Sequence, residues 1–377
     1  MLAFLLLVIA IIAYGSLYPF HFEPMARAAW PLDALRQGWP DSFNRFVFRD
    51  ILLNIFIYLP LGFAAAMLFL RRRPRMFAVI AATALGFAVS ASMELLQMFE
   101  PMRDPSTLDI LDNTVGGALG ATIALLGEPY FRELTKGSVR GFRVAGAFLL
   151  VIWALQEFYP LVPALGHTHV LEELRGLWHN LHVPAVVTWL GVAEWFGVGV
   201  ALDAIFERTQ RAWLAGLMAF ALACQFVIQD RVITIDQLVA AVIAIALWNV
   251  APSAKRARWT MWLLGSAILL RQLQPFHLLA TPQAFSWIPF GSTLISNREG
   301  GLGIISRKAF DYGALVFALR FEGVSWARAG FGVAIPLLIT EAIQTHLPGR
   351  SPEITDPLLA LMMMSVLWIA TLRKAAA

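Results

Sequence analysis

Glu94, Gln97, Arg103 and Asp109 fall within one short stretch, ELLQMFEPMRDPSTLD. Glu94 and Gln97 are three apart and share a helical face, as do Asp109 and Asn113, four apart. Arg103 lies between these pairs in a loop tightened by Pro101 and Pro105, where Ser106, Thr107 or Asp109 can start the next helix. An arginine fork grips phosphate or carboxylate through two bonds. With Gln97 and Asn113 it would hold an anionic head group, while Glu94 and Asp109 would work as acid and base if burial moved one toward neutrality. The competing reading is mechanical: ionisable groups at membrane-helix ends are costly unless paired, so Arg with Asp or Glu would staple two spans together.

The stretch recurs. LACQFVIQDRVITID starts at Leu222 and EAIQTHLPGRSPEITD at Glu341, so the same spacing yields Gln225, Arg231 and Asp236, then Glu341, Gln344, Arg350 and Asp356. The first and third copies have Gln at +3 and Arg at +9, and the middle one is a residue shorter and begins with Leu. Other landmarks keep step: Tyr18-Pro19-Phe20-His21, Tyr159-Pro160 and Gln274-Pro275-Phe276-His277 each close a preceding apolar run, and Asp50, Glu194 and Asp311 open the run that follows. Self-similarity of this kind sets the architecture. It predicts three units, 1–130, 140–251 and 258–373, the first best preserved because it alone keeps Asn54 and Asn113, where the third has Leu315 and Ala360.

What must position these residues is membrane helix. The chain is 59% hydrophobic and 14% charged, with a mean hydropathy of +0.67, more apolar surface than a soluble core of this length hides. Solid apolar runs near the ~20 residues that cross a bilayer recur twelve times, whereas a β-barrel would alternate. The expectation is an all-α, polytopic transmembrane bundle of about twelve spans, arranged as three parallel four-helix repeats. With both termini cytoplasmic, 17 of the 29 Lys and Arg residues fall in short inner connections, as the positive-inside tendency asks. That orientation, in a bacterial inner membrane, turns every motif Arg and Asp outward.

In the first unit, DILLNIFIYLPLG from Asp50 followed by ELLQMFEPMRDPSTLDILDNTVGGALG from Glu94 resembles the VanZ-like membrane family, named for a protein linked to teicoplanin resistance. The resemblance covers about residues 14–126 well and 270–372 recognisably. It implies a polytopic protein of the cell envelope, with a possible effect on glycopeptide susceptibility, and supplies a setting more than a reaction.

Other features point elsewhere. His167, His169, His179 and His182 are zinc-type donors, but LEELRGLWHNLH among them reads as an amphipathic interfacial helix, as does the segment from Trp30 to Trp39. Neither metal nor cofactor is expected. Cys224 is the single cysteine, so no internal disulfide exists. Gly116 and Gly120 suit close helix packing. The pI near 9.4 belongs to inner-leaflet contacts rather than nucleic acid. The candidate ligand site is therefore Asp50, Asn54, Glu94, Gln97, Arg103, Asp109 and Asn113, with Glu341, Gln344, Arg350 and Asp356 as its third-unit counterpart. Its expected partner is an amphipathic or anionic envelope lipid or lipid-linked molecule. The alternative is an enzyme acting on such a head group with Glu94 and Asp109 as acid and base.

Overall fold

The computed structural model describes residues 2–23, 38–101, 103–134, 140–159, 183–206, 211–228, 231–292 and 301–371, with isolated positions between them. The histidine-bearing loop and most of the segment beginning at Trp30 lie outside these residues. Twelve α-helices appear among the described residues: α1 (Leu2–Leu17), α2 (Arg45–Phe69), α3 (Arg75–Gln97), α4 (Thr107–Leu134), α5 (Arg140–Phe158), α6 (Ala185–Phe206), α7 (Arg211–Gln225), α8 (Ile235–Val250), α9 (Arg256–Leu273), α10 (Gly301–Phe321), α11 (Trp326–Gln344) and α12 (Thr355–Thr371). A 3-10 turn spans Ser253–Lys255, and an isolated bridge joins Ser286 and Glu353.

The chain divides into two compact units, Met1–Glu133 and Leu134–Ala377. The first coincides with the N-terminal unit read from the sequence, and the second packs the other two thirds together. Six helices are long and apolar enough to cross a membrane alone, namely Phe46–Phe69, Arg75–Gln97, Thr107–Tyr130, Gly141–Phe158, Ala185–Phe206 and Trp326–Gln344. The shortfall against twelve expected spans has three physical causes. Phe4–Leu17, Ala212–Gln225 and Thr355–Thr371 are apolar but short, α10 carries Arg307, Lys308, Asp311 and Arg320, and Ile235–Val250 with Ser253–Leu273 are long and apolar enough only as a pair, bent by 115° at the break between them.

In the first unit, Leu5, Val8 and Ile12 of α1 meet a small-residue surface of Ala64, Ala65, Ala82, Ala121 and Ala124 around Tyr58 and Leu61. Small residues let backbones approach where lipid supplies no hydrophobic drive. Here α2 and α4 touch main chain to main chain: a Cβ on Gly62 would fall on the Gly117 carbonyl, and one on Gly116 or Gly120 on the carbonyls of Ile55 or Leu59. The opposite face of α4 presents Leu111, Val115, Leu119, Ile123 and Leu126, all exposed, an apolar stripe suited to acyl chains. Asn44 starts α2 by accepting from the Phe46 and Val47 amides at 2.9 and 3.1 Å.

The second unit is built around two sheathed helices. Helix α10 is buried from Ala309 to Ala318, packed by α5, α6, α9, α11 and α12. Helix α6 is buried along most of its length, with α5, α8 and α9 against it. Being wrapped by protein is what lets α10 carry charges at depth.

Gly62→Ala should cost about 1–3 kcal/mol, the range for overpacking a tight contact. Gly216→Ala, where an added Cβ meets nothing within 4 Å, should instead be neutral or add up to ~1 kcal/mol. Thermal unfolding in detergent, read side by side, checks the opposite signs.

Candidate functional site

Motif residues at matching positions hold matching places. Arg103 donates from Nε and Nη2 to the Tyr18 carbonyl at 3.2 and 3.0 Å, and from Nη2 to the Gly15 carbonyl at 3.0 Å. Arg231 donates to the carbonyls of Tyr159 and Gln156. Arg350 donates to those of Gln274, at 2.9 Å, and Arg271, at 2.5 Å. In each case the guanidinium closes the end of a helix, α1, α5 or α9, where the last carbonyls lack intrahelical partners and the helix dipole favours a cation. Desolvation pulls the pKa values of Arg231 and Arg350 below the ordinary arginine value, and Arg271 pushes Arg350 the same way.

The motif glutamine meets the residue three places before the proline. Gln97 Nε2 donates to the Ser16 carbonyl at 2.9 Å, Gln225 to the Glu157 carboxylate at 2.5 Å, and Gln344 to the Gln272 side chain at 2.6 Å. The glutamate turns to the other end of the hairpin. Glu94 Oε2 accepts from the Ser106 amide at 2.8 Å and Glu341 Oε2 from the Glu353 amide at 3.0 Å, just ahead of α4 and α12. Ser106, of the three capping candidates, closes α4 by accepting from the Leu108 amide at 3.1 Å. A carboxylate at a helix start and a guanidinium at a helix end are each favoured by the backbone itself.

This corrects two expectations. The anticipated Arg–Asp staple is absent in the second and third hairpins, where no ion pair joins Arg231 to Asp236 or Arg350 to Asp356; the partners are main-chain carbonyls. The fork of Arg103, assigned to an anionic head group, is also committed to α1, because a desolvated helix end competes strongly for it. Glu94 likewise has a partner at the start of α4 through Oε2, and Asp109, Asp112 and Arg103 are its charged neighbours.

The remaining candidates divide by unit. In the third hairpin Asp356 is fully buried and accepts from Lys308 Nζ at 2.6 Å, the Tyr312 hydroxyl at 2.6 Å and Gln272 Nε2 at 2.5 Å. Sequence reading missed these donors, though Lys308 and Tyr312 are one turn apart on α10. With Asp50 and Asp311 as equivalent positions, Lys308 and Tyr312 correspond to Val47 and Ile51, so the first unit has no such donors.

The first unit instead gathers acceptors. Asn54 stands beside Asp109 and Asp112; Asp50, largely exposed and paired with Arg49 at 3.8 Å, is a further neighbour of Asp109. Asn113 Nδ2 donates to Ser90 Oγ at 2.9 Å. Asp112 and Asn113 are buried, as is Tyr58 on α2. Both carboxylate oxygens of Asp112, Oδ1 of Asn113 and the Tyr58 hydroxyl have no partner at hydrogen-bond distance and angle among the described residues, though the Asn54 amide faces Asp112 and the Ser90 hydroxyl faces Tyr58. Asp112, Tyr58 and Ser90 were legible only as helical neighbours: Asp112 follows Asp109 by three, Tyr58 follows Asn54 by four and Ser90 precedes Glu94 by four. No group of acidic, His or Cys residues among the described ones is arranged to hold a metal.

Apolar helices with polar clusters between them define a multi-pass membrane protein. Residues 1–128 match the family model VanZ-LLP1, described as VanZ/LLP1, and this N-terminal portion is VanZ-like. Searches of curated proteins and of solved structures gave no match.

Arg350→Gln should destabilise the protein by about 1–3 kcal/mol, the range for hydrogen bonds to a charged group, and Arg350→Lys should recover only part because it lacks the fork. Glu341→Gln should be nearly silent, since an amide oxygen still accepts from the Glu353 amide, whereas Glu341→Leu should cost ~1–3 kcal/mol. Thermal unfolding of the four variants measures both helix-end contacts.

Proposed function

We propose that the protein is a binding protein of the bacterial cytoplasmic membrane, with both termini cytoplasmic, whose N-terminal unit receives the polar head of an amphipathic envelope molecule. The observation that carries this reading is the set of buried polar atoms on Asp112, Asn113 and Tyr58 that have no partner at hydrogen-bond distance and angle among the described residues, with the Asn54 amide beside Asp109 and Asp112. Unpaired polar groups in a low-dielectric interior cost about 1–3 kcal/mol each, so a partner that supplies donors gains what the empty cluster forfeits. Hydroxyl and ammonium groups do that. A phosphate facing these carboxylates does not, and Arg103 is occupied at the end of α1. The head group is therefore a sugar or an amine rather than a bare anion, as in a glycolipid or a lipid-linked saccharide. Were it a cell-wall precursor, its capture would alter glycopeptide susceptibility.

The three hairpins are, on this reading, copies of one ancestral unit, supported by the repeated Gln and Arg contacts at equivalent helix ends. Ligand binding is assigned to the first, because the third fills its aspartate with Lys308, Tyr312 and Gln272.

Binding of fluorescent glycolipid, phosphatidylethanolamine and phosphatidic acid probes to protein in nanodiscs tests the assignment. The first or second should bind more tightly than phosphatidic acid, and Asp112→Leu should weaken that binding about tenfold or more, equivalent to one or two hydrogen bonds. Arg103→Gln should change melting while leaving affinity intact. Preference for phosphatidic acid, or affinity indifferent to Asp112→Leu, overturns the reading.

A further inference from the structure

A second buried polar site lies in the C-terminal unit, on α10. Asp311 is 1% exposed. It stands ten residues into the helix, roughly 15 Å from the helix start at 1.5 Å per residue, about half of a ~30 Å hydrocarbon layer. Among the described residues its ion-pair partner is Arg271 Nη1 on α9, at 3.5 Å from Oδ2. Oδ1 has no hydrogen-bond partner among the described residues, nor has Arg271 Nη1.

The charged surroundings can be named element by element. On α10 itself Arg307 lies one turn away and is exposed, and Tyr312 is adjacent. From α6 comes Glu194, from α9 Arg271, and from α12 Asp356. Glu157 of α5 faces Glu194, and Glu341 of α11 faces Asp356. The two buried aspartates are thus treated differently. Asp356 receives three donors, one of them the Lys308 ammonium, whereas Asp311 has one long ion pair, an open oxygen and a second carboxylate nearby.

We propose that Asp311 is an intramembrane proton-binding site whose occupancy decides whether Arg271 tethers α9 to α10. A buried carboxylate short of donors lowers its cost by becoming neutral. A proton is the ligand this site can take, because the adjacent guanidinium repels any metal cation and the oxygens do not converge on one. Protonation at Oδ1 gives a neutral acid with a donor of its own and releases Arg271, whose carbonyl is the one gripped by Arg350. The proton site therefore acts on the same helix end that the motif clamp holds. Nothing in this depends on the head-group reading for the first unit, and either can fail alone.

Infrared difference spectroscopy of the full-length protein in nanodiscs, titrated with pH, reads the site directly. A carboxylic-acid carbonyl band should grow as pH falls. It should vanish in Asp311→Asn, persist in Asp356→Asn and move in Asp311→Glu. Retention of the band in folded Asp311→Asn overturns the proposal, as does its absence from the wild type down to the pH of unfolding. Should Asp311→Asn fail to fold, an unshifted band in Asp311→Glu overturns it equally.

Discussion

An α-helix that ends inside or at the edge of hydrocarbon leaves carbonyls at one end and amides at the other with no water to satisfy them. Much of the recurring polarity of this chain answers that constraint. The motif arginine supplies donors to the carboxyl ends of α1, α5 and α9, and Glu94 and Glu341 supply acceptors at the starts of α4 and α12. Placed opposite each other in sequence, the two charges invite pairing with one another. Each goes instead to a backbone terminus of matching dipole, where it neutralises a partial charge and completes hydrogen bonds at once. A short loop of prolines and polar residues thereby fixes three helices: the two it connects and the one whose carboxyl end the arginine closes.

Once the arginine and glutamate belong to the framework, the chemistry is left to residues that the framework merely positions. In the third hairpin the aspartate is saturated, with an ammonium, a phenol and an amide on its two oxygens. In the first, Val47 and Ile51 occupy the places of Lys308 and Tyr312, and the acidic residues of α4 keep company with asparagine and tyrosine. Closed and open versions of one arrangement thus coexist in a single chain. The closed version ties α9, α10 and α12 together, and the open one keeps buried polar atoms on Asp112, Asn113 and Tyr58 short of hydrogen-bond geometry among the described residues.

Sequence spacing was sufficient for the twelve helices, the helix breaks at Pro19 and Pro275, and the coincidence of Gln, Arg and Asp in each hairpin. It was insufficient for the partners. Arg103 to Tyr18 and Gln97 to Ser16 are separations of more than eighty residues, and a main-chain carbonyl carries no signature of residue type, so a side-chain partner such as Asp109 is the natural guess. The same reason hid Lys308. With Arg307, Asp311 and Arg320 it weakens the helix as a membrane span by composition, and the surrounding helices, which bury Phe310 through Ala318, make the charges tolerable. Asp112 and Tyr58 were invisible for a different reason: a helical neighbour is a candidate by geometry, but nothing in spacing says which of two adjacent faces turns inward.

Because arginine and glutamate serve opposite ends of different helices, they are separable in a way an ion pair is not. Breaking a buried pair leaves an uncompensated charge; replacing the glutamate alone leaves only the start of the following helix to be satisfied. The middle hairpin shows such a replacement. Leu222 stands where the glutamate would be, Arg231 still grips the end of α5, and the start of α8 is served locally, the Thr234 amide donating to the Gln237 side chain at 3.0 Å. A capping residue one turn into its own helix takes over part of the work of a carboxylate from the preceding one. A hairpin without the glutamate therefore lacks a cross-helix tie without stranding a charge, and the middle one still buries Gln225 and Asp236.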